Sequence, residues 1–107
     1  MTVYVDNAGI RADVPNGGRV VRGVWCHMTA DTTDELVAMA RRIGLRPSWI
    51  QHPGDWHEHF DLTLSKRKLA LEAGAVEVDG MEHTRTFLNP RRLAMRAAAT
   101  SPERDHA

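Results

Sequence analysis

The sequence predicts an α/β fold: a single small domain of about four short strands, in a mixed or parallel sheet, with two to three helices. Three observations carry that expectation. Strand-like and helix-like patterns alternate along the chain, as they do in sheets with parallel pairing. The 107 residues leave room for one domain and one hydrophobic core. Hydrophobic residues make up 42% and charged residues 26%, the balance of a folding globular chain rather than a disordered one. The domain is expected over residues 1–99, with residues 100–107 as a frayed C-terminal tail.

The β-branched and aromatic run of residues 2–5 predicts the first strand, with Asp6 at its C-terminal end and residues 6–9 as a turn. A second turn at Asn16-Gly17-Gly18 precedes a strand over residues 19–26, bulged at Gly23, with His27 at its end. Thr32-Thr33-Asp34-Glu35 matches a capping box, and Leu36, Met39, Ala40 and Ile43 then recur at helical spacing until Gly44 supplies a left-handed stop. Residues 47–51 read as a third strand ending near His52, and residues 52–59 as a loop without regular period. Ser65 is the expected cap of a second helix running to Ala73, with Leu64 and Leu69 as a hydrophobic staple and Gly74 as its stop. Residues 76–78 give a fourth strand. Asp79-Gly80 reads as a turn, and Asn89-Pro90 as the cap and first position of a last helix reaching Ala99.

Fourteen basic side chains balance fourteen acidic ones, so no global field draws the protein to nucleic acid or to a membrane surface. Cys26 is the only cysteine, which excludes an intramolecular disulfide and a multi-cysteine zinc site and fits a reducing compartment. No signal-like leader follows Met1, and no run approaches the length of a membrane span. The expected location is the cytoplasm.

In open α/β sheets ligands bind beyond the carboxyl ends of strands, and the polar residues of this chain gather there. Asp6, His27 and His52 end strands, Asp31 precedes a helix, and His59 and Asp61 lie on the way to the next. Histidine moves a proton near neutral pH or binds a transition metal, and a neighbouring carboxylate orients its ring or completes the shell. His27, His59, Asp31 and Asp61 are thus candidate catalytic residues, with His27, His59 and Asp61 as candidate ligands of a divalent transition metal and Asp6 completing the site. The bland alternative makes Asp31 a helix cap, His27 a donor to a backbone carbonyl, and His59 and Asp61 loop anchors. Cys26 is read as buried, outside any such site, because adjacent strand residues face opposite ways.

Ser65-Lys66-Arg67-Lys68 places cations in a helix's first turn, where the macrodipole favours an anion. A phosphate held by Ser65, Lys66 and Arg67 would resolve the conflict, as would internal pairing of Lys66 or Arg67 with Asp61 and of Lys68 with Glu72. Of the three tryptophans, Trp25 and Trp49 suit the core, whereas Trp56 in the histidine-rich loop is free to stack on a ligand ring.

Tyr4-Val5-Asp6, Cys26-His27-Met28 with Ala30-Asp31-Thr32, Trp49-x-Gln51, His59-Phe60-Asp61, Ser65-Lys66-Arg67 and Gly74-Ala75-Val76-Glu77, in this order, resemble DUF4031. That is a family of small bacterial and phage proteins carrying a domain of unknown function. The resemblance covers residues 2–78. Phe60 departs from the family's usual His-Tyr-Asp, and the loop over residues 53–58 is particular to this chain. The resemblance implies no particular reaction, but it places recurring polar positions on His27, Asp31, His59, Asp61, Lys66 and Arg67.

Three functions compete on this reading. The first is binding of, or acid-base or metal-assisted chemistry on, a small phosphate-containing molecule such as a nucleotide. The second is a nucleic-acid-binding module using Arg85, Arg91, Arg92 and Arg96 with Lys66 and Arg67. The third is a protein-interaction factor of phage or bacterium that acts through an exposed apolar patch.

Overall fold

A computed structural model describes residues 2–16 and 19–99, with the side chains of residues 11–22 left aside. The chain forms a mixed five-stranded sheet: β1 (Val3–Val5), β2 (Ile10–Asn16), β3 (Arg19–Ala30), β4 (Phe60–Thr63) and β5 (Val76–Glu77). β3 is the axis. Trp25 pairs with both Ile10 and Thr63, and Met28 with both Val5 and Phe60. Antiparallel β1 and β2 therefore share one edge of β3, and β4 takes the other. β5 adds in parallel beyond β1.

Period-two alternation divides the sheet. Val5, Cys26, Met28, Ala30, Phe60 and Leu62 are buried on one face. Against them pack α1 (Thr33–Arg42) and α2 (Leu64–Glu72), contributing Leu36, Ala40 and Ala70 to the core. α1 follows its sequence signals: Thr32 caps it by accepting from the Glu35 amide, and Gly44 ends it at φ 88°. The opposite face is crossed by the C-terminal segment, in which α3 (Gly80–His83) runs through a π-helical turn (Thr84–Leu88) into α4 (Asn89–Ala99). No helix among the described residues is long and apolar enough to cross a membrane.

Several expectations need correction. The second strand runs to Ala30, so His27 lies inside β3 and not at its end. Gly23 pairs in register with Ala12; the register instead shifts between Val5 and Ile10, across residues 6–9. Residues 47–51 are no strand: Pro47–Trp49 is a 3-10 turn, Pro47 lacking the N–H a ladder needs, and only Gln51 makes a bridge, to His59. Two strands were not expected, Ile10–Asn16 and Phe60–Thr63. Thr63, not Ser65, caps α2. Asp79 caps α3, its side chain accepting from the Glu82 amide. Asn89 is no cap, since its backbone is already helical; the π turn before it relieves the crowding that Pro90 brings to a continuous helix. The expected tail and the glycines of the Asn16-Gly17-Gly18 turn lie outside the described residues.

Candidate functional site

Beneath the C-terminal helix the strands contribute one polar row. His27 stands directly opposite Asp61 of β4, and Asp6 follows β1 on the other edge, its amide bonded to the His27 carbonyl at 3.0 Å. Paired residues share a face, so His27 has a carboxylate on either side. Asp6 Oδ2 meets His27 Nδ1 at 2.7 Å, while Oδ1 accepts from the amides of His27 at 2.8 Å and Ala8 at 3.2 Å. Burial pushes the Asp6 carboxyl up, but the bonds from His27 outweigh it and hold Asp6 below its usual value. The same side-chain bond raises His27, against burial and with help from the charges of Asp6 and Asp61.

His59 reaches this row from the loop before β4. Its bridge to Gln51 closes residues 52–58 into a turn, through backbone bonds of 2.9 and 3.1 Å. His59 Nδ1 meets the His57 carbonyl at 2.7 Å. A carbonyl only accepts, so Nδ1 carries the proton and Nε2 faces Asp61 Oδ1 at 3.5 Å. His27 Nε2 lies 3.8 Å from that same oxygen. The other Asp61 oxygen accepts from Gln51 Nε2. Burial raises Asp61, yet His59, His27 and Gln51 together hold it below its usual value.

Two imidazole nitrogens and one carboxylate oxygen thus converge, all within 4.8 Å of one another. A modest inward movement would bring them to the roughly 2.0–2.2 Å at which such atoms bind a metal. Each also has an outer partner, Asp6 for His27, the His57 carbonyl for His59 and Gln51 for Asp61. Outer partners of this kind fix the tautomer and orientation of metal ligands.

The row forms one wall of a cavity of about 240 Å³, whose other walls include Trp56, His57, His83 and Leu88. A wider groove shares Asp6, His27, Gly80 and Thr84 with it and opens toward Arg85 and Asn89. Asp6, His27, His59 and Trp56 of the expected residues line this cavity; Asp61 does not line it but contacts both histidines. The site lies on the sheet face, not beyond the strand ends, because antiparallel pairing sets the start of β4 against the interior of β3.

Asp31 does not join them. It accepts from the Thr2 amide at 2.9 Å and the Tyr4 hydroxyl at 2.8 Å, tying β1 to the end of β3. The three residues of the expected phosphate anchor each have partners within the protein. Ser65 Oγ pairs with the capping Thr63 hydroxyl at 3.1 Å. Lys66 Nζ donates to the Ile43 carbonyl at the C-terminus of α1, 2.8 Å away, which answers the charge conflict from a neighbouring helix's negative pole. Arg67 donates through Nε to the Asp6 carbonyl and through Nη2 to Glu77, both at 2.8 Å, and so supports the site from outside.

Sequence reasoning gave no site role to Gln51, His57, Glu58 and His83, and took Arg91 only for a nucleic-acid face. Glu58 is 1% exposed. It accepts from Thr33 Oγ1 at 2.6 Å and the Gly54 amide at 2.8 Å, with Arg91 Nη2 at 3.6 Å. A carboxylate in a loop reads as solvated until three separate elements close over it. His83 bonds Thr29 Oγ1 at 2.9 Å and stacks on Phe87 at 4.7 Å. No pattern in the sequence singled it out.

Burial lowers the His83 pKa, with Asp6 and Asp31 opposing only in part. The unfolded chain then binds the proton more readily. The contribution of His83 to stability is full above its usual value of 6.5 and declines as pH falls through the lower folded value. Urea midpoints measured across that range should fall more steeply for the parent than for His83→Gln; parallel curves would contradict the assignment.

No curated protein and no solved structure matches the chain. The model of the family described as "Protein of unknown function (DUF4031)" matches residues 3–89, so the ordered motifs and the sheet that assembles them belong together: the chain is a member of the DUF4031 family.

Proposed function

We propose that the cleft is a metal-dependent small-molecule site, holding one divalent transition metal through His27 Nε2, His59 Nε2 and an Asp61 oxygen. The observation that carries this reading is the paired orientation of the histidines. Both turn Nε2 toward Asp61 Oδ1 while Nδ1 is tied to an acceptor behind, Asp6 in one case and the His57 carbonyl in the other. Simple loop anchors have no reason to converge in this way. Three protein ligands leave coordination positions open, as catalytic metal sites do and structural ones do not. A cation held there polarises a ligand oxygen and acidifies water, which is the chemistry of metal-assisted hydrolysis.

The chain's own residues supply the rest. Asp6 orients His27, Gln51 pins Asp61, and the cavity walls seat the ligand away from bulk water. His57 stands on the wall with a buried Nδ1 that has no hydrogen-bond partner. Burial and the neighbouring His52 lower its pKa, with Asp55 opposing. His27 and His59 act as ligands rather than as acid and base. The nucleic-acid reading is weaker, because Arg67, Arg85 and Arg91 each pair with an acidic side chain of the protein. A cytoplasmic setting belongs to the same proposal, since the buried free thiol of Cys26 needs no oxidising compartment.

The test is elemental analysis of protein purified without a histidine tag, followed by cobalt titration of the metal-stripped chain. One equivalent of metal and a cobalt absorption band of low coordination number are expected. A protein that retains no zinc, manganese, iron or cobalt after equilibration would sink the proposal.

A further inference from the structure

We infer that the ligand of this cleft is an uncharged small molecule with a planar apolar body and one metal-directed oxygen, not a phosphate ester. The inference rests on the metal reading above and turns on charge. A divalent cation at His27, His59 and Asp61 is matched one for one by the carboxylates of Asp61 and Asp6, which lie against the two histidines at 3.5 and 2.7 Å. The loaded centre is then neutral. No lysine or arginine lines the inner cavity. Arg67, the cation nearest Asp6, is already held by the Asp6 carbonyl and Glu77. Arg92 lies over the Trp56 ring at 5.6 Å without lining the cavity. A phosphate ester would add at least one full negative charge beyond what the already matched metal centre neutralises, in a partly buried space whose inner wall offers no lysine or arginine, which is costly.

The walls point to what replaces the charge. Trp56 and His57 lie ring against ring at 4.2 Å, and His83 is stacked on Phe87 and held by Thr29. With Leu88 they give the cavity flat, apolar sides, the surface on which an aromatic or heteroaromatic ring gains most from burial and stacking. Gly80 lies close over Asp6: a Cβ there would stand in van der Waals contact with Asp6 Oδ2, at 3.5 Å. A planar group can pass between helix and sheet to the metal, and a polar tail can extend into the outer groove beside Asn89.

The experiment is calorimetric titration of the zinc-loaded protein with benzamide, acetamide and phenyl phosphate, on the parent and on Leu88→Lys. Metal content is measured first. Benzamide, an uncharged carbonyl donor with a ring, should bind about tenfold or more tightly than acetamide, which lacks the ring. Leu88→Lys should improve phenyl phosphate by about tenfold while leaving benzamide no better. That comparison cancels zinc's own preference between the two headgroups. Benzamide binding the parent no more tightly than acetamide, or phenyl phosphate gaining nothing from the added lysine, would overturn the inference while the metal reading stood. If no zinc is retained the metal reading fails instead. Benzamide against phenyl phosphate on the metal-free protein then decides the ligand class, with benzamide expected to bind and phenyl phosphate overturning the inference if it binds better.

Discussion

Asp61→Ala should bring affinity for a divalent transition metal below detection, whereas Asp6→Asn should lower it by roughly 10–100-fold. The difference follows from position. Asp61 offers the oxygen on which both histidines converge, at 3.5 and 3.8 Å, and without it two neutral imidazoles are left to hold the cation alone. Asp6 touches no ligand position but accepts from His27 Nδ1 at 2.7 Å. Asparagine there keeps an acceptor of similar shape and loses the charge that makes the imidazole a better donor. Competition against a chromophoric chelator measures both constants, and circular dichroism of the stripped variants checks the fold. Equal losses in the two variants would place Asp6 in the coordination shell. An unchanged affinity in Asp61→Ala would remove the centre altogether.

Glu58→Ala should destabilise the protein by about 3 kcal/mol, near the top of the range for point changes. Removing this carboxylate leaves the Thr33 hydroxyl and the Gly54 amide without their acceptor and Arg91 without its counter-charge. Arg91 also donates to the Ala30 carbonyl at 3.0 Å, so the loss loosens α4 from the sheet as well. For a domain of this length the melting temperature should fall by on the order of 10 °C or more. Glu58→Gln, which keeps an acceptor for Thr33 while losing the charge, should fall less. Because Glu58 lies between the residue whose carbonyl orients His59 and His59 itself, metal affinity should weaken along with stability. A fall below about 1 kcal/mol would mean that water replaces the carboxylate and that the loop is held elsewhere.

Elements whose signals are local were legible without the structure. The Thr32 capping box, the 3.6-residue rhythm of α1 and the stops at Gly44 and Gly74 are decided by neighbours within one turn, and both glycines have the positive φ those stops require. The first strand and the edge strand at Val76 follow from β-branched runs. Phe60–Thr63 has no such run, and it is a strand only because β3 provides a partner on which Phe60 and Leu62 turn inward. The π turn at Thr84–Leu88 likewise shows itself once Pro90 is known to continue a helix rather than begin one.

For the site, the sequence alone determined the chemistry available: histidines and aspartates near strand and loop positions, one buried cysteine excluded, and a resemblance that implied those positions. Only the tertiary structure decided which of them meet. The antiparallel register sets His27 across from Asp61, and the shift over residues 6–9 delivers Asp6 to the other edge. Asp31 stays out with Tyr4, and Lys66 goes to another helix's carbonyl. The physical reason is that cross-strand pairing and charge compensation are non-local: a one-residue change of register would turn His27 into the core, and nothing in the neighbouring residues records it.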